Sequence, residues 1–317
     1  MVLPDEARRG KQAIDMRVLI FGATGMVGQG VLRECLLDPD VDAVLTIGRS
    51  PTGIQHPKLR EIVQPDLFHY SGIETELNGL DACFFCLGVT SAGMSEQQYE
   101  NLTYTLTLAA AETLSRLSPE MTFVYVSGAG TDSSEKGRVM WARVKGKTEN
   151  AILRLPFKAS YMFRPGIIQP VHGARSKTTA YRIGYTLARP VLPLLHRLFP
   201  RYILTTEEIG RAMIHVAKRG APKKVLESWD IRDCATISSA SGNGKQLFEP
   251  TTNSVNSSRA RLAKWPTSST SSPVNTSSIS LCRRSPRTRP GPTGASTSGA
   301  SPGLSVIASV AGSRSGS

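Results

Sequence analysis

Three glycines at a fixed spacing constrain this chain more than any other feature. Gly22, Gly25 and Gly28 follow an apolar run at residues 18–21, which has β-branched members and the length of a buried parallel strand. After the glycines, apolar residues recur every three to four positions, which predicts a helix. A strand that turns through glycines into a helix brings backbone N–H groups and the helix N-terminus close to an anion. The motif therefore predicts a pyrophosphate, and hence a dinucleotide site.

The residues after the next two predicted strands indicate which dinucleotide would bind. Arg49 lies about twenty residues beyond the glycines, where an NAD site usually has an acidic residue for the ribose hydroxyls. A guanidinium attracts a 2′-phosphate and can bind it in a forked geometry, so Arg49 predicts NADP, with NAD as the alternative. Arg49 could also be a solvated loop residue. Asp66, which follows the third predicted strand, either accepts a hydrogen bond from the adenine amino group or forms a turn after Pro65.

The positive charge of the chain is concentrated towards its C-terminal end. The formal net charge is +13 over 317 residues, but residues 235–317 hold nine Lys or Arg and a single acidic residue, Glu249. The first 234 residues are therefore only mildly basic. The overall charge does not predict a specific nucleic-acid-binding protein.

The cysteines and the absence of targeting patterns predict a location. The chain has five cysteines, too few and too irregularly spaced for a disulfide framework. Cys83 and Cys86 have the C-x-x-C spacing of a redox or metal site, but they lie in an apolar run without a second pair. We expect buried strand cysteines and no metal. No signal peptide or apolar stretch of transmembrane length is found, so a reducing, cytoplasmic setting is predicted.

Alternating strand and helix patterns predict an α/β fold with a doubly wound parallel sheet, Rossmann-like. The predicted strands lie at residues 18–21, 43–47, 59–63, 82–87, 121–126, 160–163 and 224–227. The longest predicted helices lie at residues 95–118 and 136–153, and a further helix begins with a capping sequence at residues 205–208. This gives a dinucleotide-binding domain at residues 17–234, after a flexible leader at residues 1–16.

Two segments are predicted to lie outside this alternation. Residues 166–205 would form the substrate side, and within them residues 181–199 mix leucines, aromatics and arginines. We interpret residues 181–199 as a broken helix over a substrate cleft, and a membrane-surface helix is the alternative. Residues 235–317 are rich in Ser, Thr, Pro, Gly and Arg, which predicts a disordered tail. Such a tail can bind RNA or carry phosphorylation sites, but its abrupt start favours translation out of frame.

The glycine motif, Ser127, Lys145 in Val-Lys-Gly-Lys-x-Glu, and Phe-Arg-Pro-Gly at residues 163–166 together resemble a known superfamily. It is the extended or atypical short-chain dehydrogenases/reductases, in their NAD(P)-binding epimerase-like branch, and the chain is similar to the Tat-interacting oxidoreductase group. The resemblance covers residues 17–230. It implies that Ser127 polarises the substrate oxygen and that Lys145 binds the nicotinamide ribose. It also implies a proton-transferring tyrosine four residues before Lys145, where this chain has Trp141.

The predicted cofactor-binding residues are Gly22, Thr24, Gly25, Met26, Val27, Gly28, Arg49, Asp66, Leu67, Leu87, Gly88 and Lys145, and the predicted catalytic set is Ser127, Lys145 and Trp141. An indole N–H donates a hydrogen bond but has no accessible acid–base chemistry. Two functions therefore compete. One is an NADP-dependent oxidoreductase or epimerase that acts on a small carbonyl or sugar-like substrate. The other is a non-catalytic NADP(H) sensor that acts through protein partners, as the resemblance suggests.

Overall fold

A computed structural model describes residues 15–174 and 203–241, and these residues form a parallel sheet with helices on both faces. Seven strands pair in the order β3-β2-β1-β4-β5-β6-β9, each parallel to its neighbour. Their bounds are β1 Met16–Phe21, β2 Val41–Gly48, β3 Leu59–Val63, β4 Ala82–Phe85, β5 Thr122–Val126, β6 Ala159–Arg164 and β9 Val225–Glu227. Two short strands, β7 Ile167–Gln169 and β8 Ile203–Thr205, pair separately. The predicted doubly wound Rossmann-like sheet is confirmed.

The sheet separates two hydrophobic cores. On β1, Val18 and Ile20 face one core, and Leu19 and Phe21 face the other, as the two-residue period of a strand requires. All four side chains are fully buried. Because both faces are covered, β1 is apolar throughout rather than alternating, which is why its sequence indicates a central parallel strand.

The described residues include six α-helices, and capping residues start two of them. Their bounds are α1 Met26–Leu37, α2 Glu96–Glu100, α3 Leu106–Leu117, α4 Met140–Leu153, α5 Thr206–Arg219 and α6 Ser228–Ser241. Ser95 with Gln98, and Thr205 with Glu208, form complete capping boxes. Both were predicted from the sequence. No helix among the described residues combines the length and the apolar character needed to cross a membrane.

Two predicted helices differ in detail from the observed ones. The helix predicted at residues 95–118 contains a π-helical turn, Asn101–Thr105, between α2 and α3. The helix predicted from residue 136 begins at Met140, because Asp132 accepts hydrogen bonds from the backbone N–H groups of Ser134 and Gly137 and holds that stretch as a loop. The broken helix predicted at residues 181–199 lies outside the described residues.

The last helix extends past the predicted start of the tail. Helix α6 continues to Ser241, although the composition changes near residue 235. Cys234 and Ala235 are buried against the core that α1 and α5 also cover. The ordered chain therefore includes residues that composition alone assigns to the tail.

We expect a chain that ends at Asp233 to be less stable than one that ends at Ser241. The shorter chain loses the buried side chains of Cys234 and Ala235, worth about 2 kcal/mol by the apolar surface they remove from water. Urea unfolding of the two chains measures the difference. Equal free energies of unfolding would show that the second half of α6 adds nothing to the fold.

Candidate functional site

The glycine turn after β1 is possible only without side chains at two of its positions. Gly22 has φ +76°, and a Cβ atom there would lie 2.7 Å from the backbone nitrogen of Leu87. A Cβ on Gly28 would lie 2.1 Å from the carbonyl oxygen of Gly22. Any side chain would force the turn apart from the end of β4 or from α1. The spacing of the motif thus follows from close contacts between backbones.

The N-terminus of α1 lies at a cleft and has a glycine as its N-cap residue. This residue, Gly25, has no side chain to accept a hydrogen bond from the N–H groups of the first turn. The same turn, Gly25 to Val27, lines the larger of two clefts at the carboxyl end of the sheet. Uncapped N–H groups and the helix dipole together favour an anion at this position.

Two adjoining clefts share Leu87 and run across the carboxyl ends of the strands. The smaller has a volume of about 80 Å³ and the larger about 530 Å³. The predicted cofactor residues that line one or both are Gly22, Thr24, Gly25, Met26, Val27, Arg49, Leu67, Leu87, Gly88 and Lys145. In an open α/β sheet, ligands bind at this edge, where the strand order reverses. Here it reverses between β1 and β4.

Two predicted cofactor residues are outside the lining of both clefts. Gly28 is buried beneath the turn, where it allows α1 to approach Gly22. Asp66 is exposed; one carboxylate oxygen accepts from the backbone N–H of Phe68 and the other contacts His69 Nδ1 at 2.7 Å. These hydrogen bonds lower the pKa of Asp66. The observed contacts of Asp66 are those expected of a turn-forming residue after Pro65, one of the two roles considered for it.

The smaller cleft contains a carboxylate that the sequence did not reveal. Glu61, on β3, lines this cleft together with Arg49. Its Oε2 accepts from Thr46 Oγ1 at 3.2 Å and from the backbone N–H of Thr52 at 2.9 Å. The register of β2 and β3 pairs Thr46 with Glu61, so only the sheet alignment brings these residues together. The cleft therefore offers a ligand both a cation and an anion.

Ser127 lines the larger cleft, but its hydroxyl hydrogen points into the protein. The residue is buried at the end of β5, and its Oγ donates to Glu149 Oε1 at 2.5 Å and to the carbonyl of Phe163 at 3.1 Å. A hydroxyl has one proton, and both acceptors for it are internal. In this arrangement the Ser127 hydroxyl has no proton to donate to a substrate oxygen.

Lys145 lines the same cleft, and its ammonium group contacts Ser127. Its Nζ donates to the backbone carbonyl of Ser127. Removal of the ammonium from water lowers its pKa to about 8, although the nearby Glu149 carboxylate acts in the opposite direction. Lys145 is therefore close to half-protonated in the slightly alkaline range.

Trp141 is half-buried on the first turn of α4, one turn before Lys145. A methyl group built on Gly130 would lie 3.6 Å from Cη2 of the indole, so the ring covers the loop after β5. The described residues that line the larger cleft include Lys145 but not Trp141. A catalytic position for the indole stays a prediction.

Both cysteines of the C-x-x-C pair are free thiols. Cys83 is buried on β4, as expected, whereas Cys86 follows the strand and is partly buried. Burial raises the pKa of both Cys83 and Cys86 well above the usual value. Neither is poised as a thiolate nucleophile. No cluster of three His, Cys, Asp or Glu side chains that could hold a metal occurs within the described ranges.

Comparison with known proteins gives relatives whose names state a location and no reaction. No family model matches the chain. The chain is 28% identical over 211 residues to "Protein FMP52-2, mitochondrial" of Scheffersomyces stipitis. The aligned region covers 66% of this chain and 90% of that protein. It is also 28% identical over 232 residues to "Protein FMP52, mitochondrial" of Saccharomyces cerevisiae, covering 71% and 97%. Because these relatives are named as mitochondrial, the cytoplasmic location predicted above is wrong.

Solved structures resemble the chain in fold. Bordetella bronchiseptica WbmF in complex with NAD⁺ superposes with a TM-score of 0.51 at 16% identity, covering 74% of this chain and 81% of WbmF. Helicobacter pylori ADP-L-glycero-D-manno-heptose-6-epimerase gives a TM-score of 0.50 at 15% identity, covering 68% and 77%. With the strand order and the glycine turn, these likenesses show that the chain has a Rossmann-like fold.

Proposed function

We propose that this protein binds a nicotinamide dinucleotide across the two adjoining clefts. The single observation that carries the proposal is the uncapped N-terminus of α1, which lies over a glycine turn that excludes side chains. The pyrophosphate would bind at Gly25 to Val27, the adenosine half in the smaller cleft and the nicotinamide half in the larger one. NAD⁺ bound to WbmF, a protein of the same fold, supports this assignment.

Arg49 favours NADP, and Glu61 opposes it. Both line the smaller cleft, where the adenosine ribose would lie. A 2′-phosphate would gain a charge-assisted hydrogen bond from the guanidinium of Arg49. It would also approach the Glu61 carboxylate, which Thr46 and Thr52 hold in place. We infer that NADP(H) binds more tightly than NAD(H), and by a smaller margin than Arg49 alone would give.

Two substitutions test the cofactor assignment. Arg49→Ala should weaken NADPH binding by about 1.5–3 kcal/mol, the worth of a charge-assisted hydrogen bond, and leave NADH binding nearly unchanged. Glu61→Gln should increase the preference for NADPH, because it removes a negative charge and keeps the side-chain shape. Isothermal titration with both cofactors measures these effects. If Arg49→Ala binds both cofactors as the wild type does, Arg49 is outside the site.

We propose further that the protein is an oxidoreductase or epimerase for a small carbonyl or sugar-like substrate. The larger cleft, of about 530 Å³, has room beyond what a nicotinamide would fill. The name of the Helicobacter pylori epimerase, a nucleotide-sugar enzyme of the same fold, supports the sugar-like class. The names of the FMP52 relatives support a mitochondrial location, which fractionation of cells that express the tagged chain would test.

A cofactor-sensing regulator that acts through protein partners is the second candidate. It is favoured by the inward hydrogen bonds of Ser127 and by the tryptophan at position 141. Together they remove the usual hydrogen-bond donor and the usual proton donor from the substrate. The variants of Lys145 and Trp141 described below separate this candidate from the enzyme.

A further inference from the structure

The larger cleft contains few groups that can exchange a proton. Among the described residues that line it, the titratable side chains are Lys145 and Cys86, and the hydroxyls are those of Ser127 and Thr90. Most of the others are glycine or apolar. Burial raises the pKa of the Cys86 thiol, and the proton of Ser127 is held by Glu149 and Phe163. Thr90 is exposed, and a hydroxyl does not ionise near neutral pH. Within the described lining, Lys145 alone has acid–base chemistry in that range.

The surroundings of Lys145 keep its ammonium available. Glu149, one turn further along α4, would be the natural ion-pair partner, but its carboxylate is bound by Arg164 and by the hydroxyl of Ser127. The described hydrogen bond of Nζ is to the backbone carbonyl of Ser127. An ammonium has three N–H groups, so this bond fixes its direction and leaves donors for a ligand.

The position of Lys145 Nζ also suits proton transfer to a substrate oxygen in the larger cleft. The carbonyl oxygen that holds it belongs to Ser127, the residue whose side chain would have polarised the substrate. Lys145 shares the lining of the cleft with residues that follow β4, β5 and β6 and with the N-cap of α1, namely Gly88, Ala129, Pro165 and Gly25. A substrate oxygen within hydrogen-bond reach of Nζ would therefore lie inside the cleft.

We propose that Lys145 is the proton donor to the substrate oxygen, in the place of the tyrosine that this chain lacks. The inference rests on the proposed function. In reduction, a reduced nicotinamide dinucleotide would supply the hydride to the carbonyl carbon. The C=O double bond becomes a single bond, and its oxygen takes a proton from the Lys145 ammonium. The neutral amine then takes up a proton from water, and oxidation reverses these steps.

The acid strength of Lys145 suits this role. General acid–base catalysis works best when the pKa of the group lies near the working pH. An unperturbed lysine, at 10.5, would hold its proton too firmly, whereas burial brings the pKa of Lys145 to about 8. The charge that acts on Lys145 is Glu149 on the same helix, and Arg164 from β6 binds its carboxylate.

The substitution Lys145→Arg separates proton donation to the substrate from electrostatic attraction of the cofactor. Arg keeps the positive charge and the hydrogen-bond donors, but it does not lose a proton in proteins. Lys145→Met removes both properties and provides a second variant if the larger guanidinium disturbs folding. Lys147→Met is the matched control, because Lys147 lies on the same helix, pairs with Glu100 and is outside the lining of the cleft.

The experiment measures binding and turnover on the full chain. Titration with NADPH and NADH gives affinity, and oxidation of the reduced cofactor across a panel of aldehydes, ketones and keto-sugars gives turnover. We expect Lys145→Arg to bind within about threefold of wild type and to lose at least about 10²-fold in turnover, the typical worth of general acid catalysis. Wild-type turnover should fall as pH rises through about 8. Lys147→Met should match wild type in both measurements.

Three outcomes would overturn the proposal in different ways. Turnover retained in Lys145→Arg would mean that another group donates the proton. Equal losses of cofactor affinity in Lys145→Arg and Lys145→Met, without a further loss in turnover, would make Lys145 a cofactor-binding residue only. Tight cofactor binding without wild-type turnover across the panel would leave the sensor as the function. Failure of the wild type to bind either cofactor would instead refute the proposed function itself.

Discussion

Replacing Arg164 by methionine should lower the free energy of unfolding by about 3–5 kcal/mol, the cost of leaving one partner of a buried ion pair without the other. The partner is Glu149, whose side chain is 1% exposed and receives two hydrogen bonds from the guanidinium of Arg164. Arg164 also contacts Glu227 and Ser133, so it connects β6 with α4, β9 and the loop after β5. Without Arg164, the buried carboxylate of Glu149 loses its positively charged partner and two of its hydrogen bonds.

An exposed ion pair provides the control. Arg116 pairs with Glu74, and their side chains are 60% and 36% exposed, so Arg116→Met should cost less than about 1 kcal/mol. The double variant Arg164→Met with Glu149→Leu should recover much of the loss, because an apolar pair of similar volume needs no compensation. Urea unfolding with unchanged m-values gives the comparison. An Arg164→Met variant no less stable than Arg116→Met would show that Glu149 finds solvent.

Several elements of the fold could be predicted because the sequence signals for them are local. The strand at residues 18–21, the glycines after it and the helix that follows all lie within one short stretch, and each constrains the next. The capping boxes at Ser95 and Thr205 depend on residues three positions apart. A sequence pattern reports such contacts directly, since the interacting groups are close along the chain.

The features that the sequence did not show depend on contacts between distant residues. Glu61 reaches the smaller cleft through the register of β2 and β3, and the proton of Ser127 is directed inward by a residue 22 positions away. Composition changes near residue 235, whereas α6 continues to Ser241 and Ala235 is buried by packing that composition does not describe. In each case tertiary packing decides between interpretations that the residue type leaves open.

Trp141→Tyr should raise carbonyl reduction above the wild-type level, by up to the 10²–10⁴-fold that general acid–base catalysis typically contributes. Positions four apart share a helix face, so a phenol at position 141 would lie one turn from the Lys145 ammonium. A nearby positive charge lowers the pKa of a phenol and makes it a better proton donor. The superfamily that this chain resembles uses a tyrosine and a lysine at this spacing.

The gain should come from the hydroxyl, so Trp141→Phe is the matched control and should gain nothing. Because a tyrosine would take over proton donation, Lys145→Arg should be far less damaging in the Trp141→Tyr background than in the wild type. Such non-additivity is expected of two groups that can serve one step, and a double-mutant cycle on turnover measures it. If Trp141→Tyr and Trp141→Phe raise turnover equally, the gain comes from removing the bulk of the indole over the loop at Gly130 and not from introducing a proton donor.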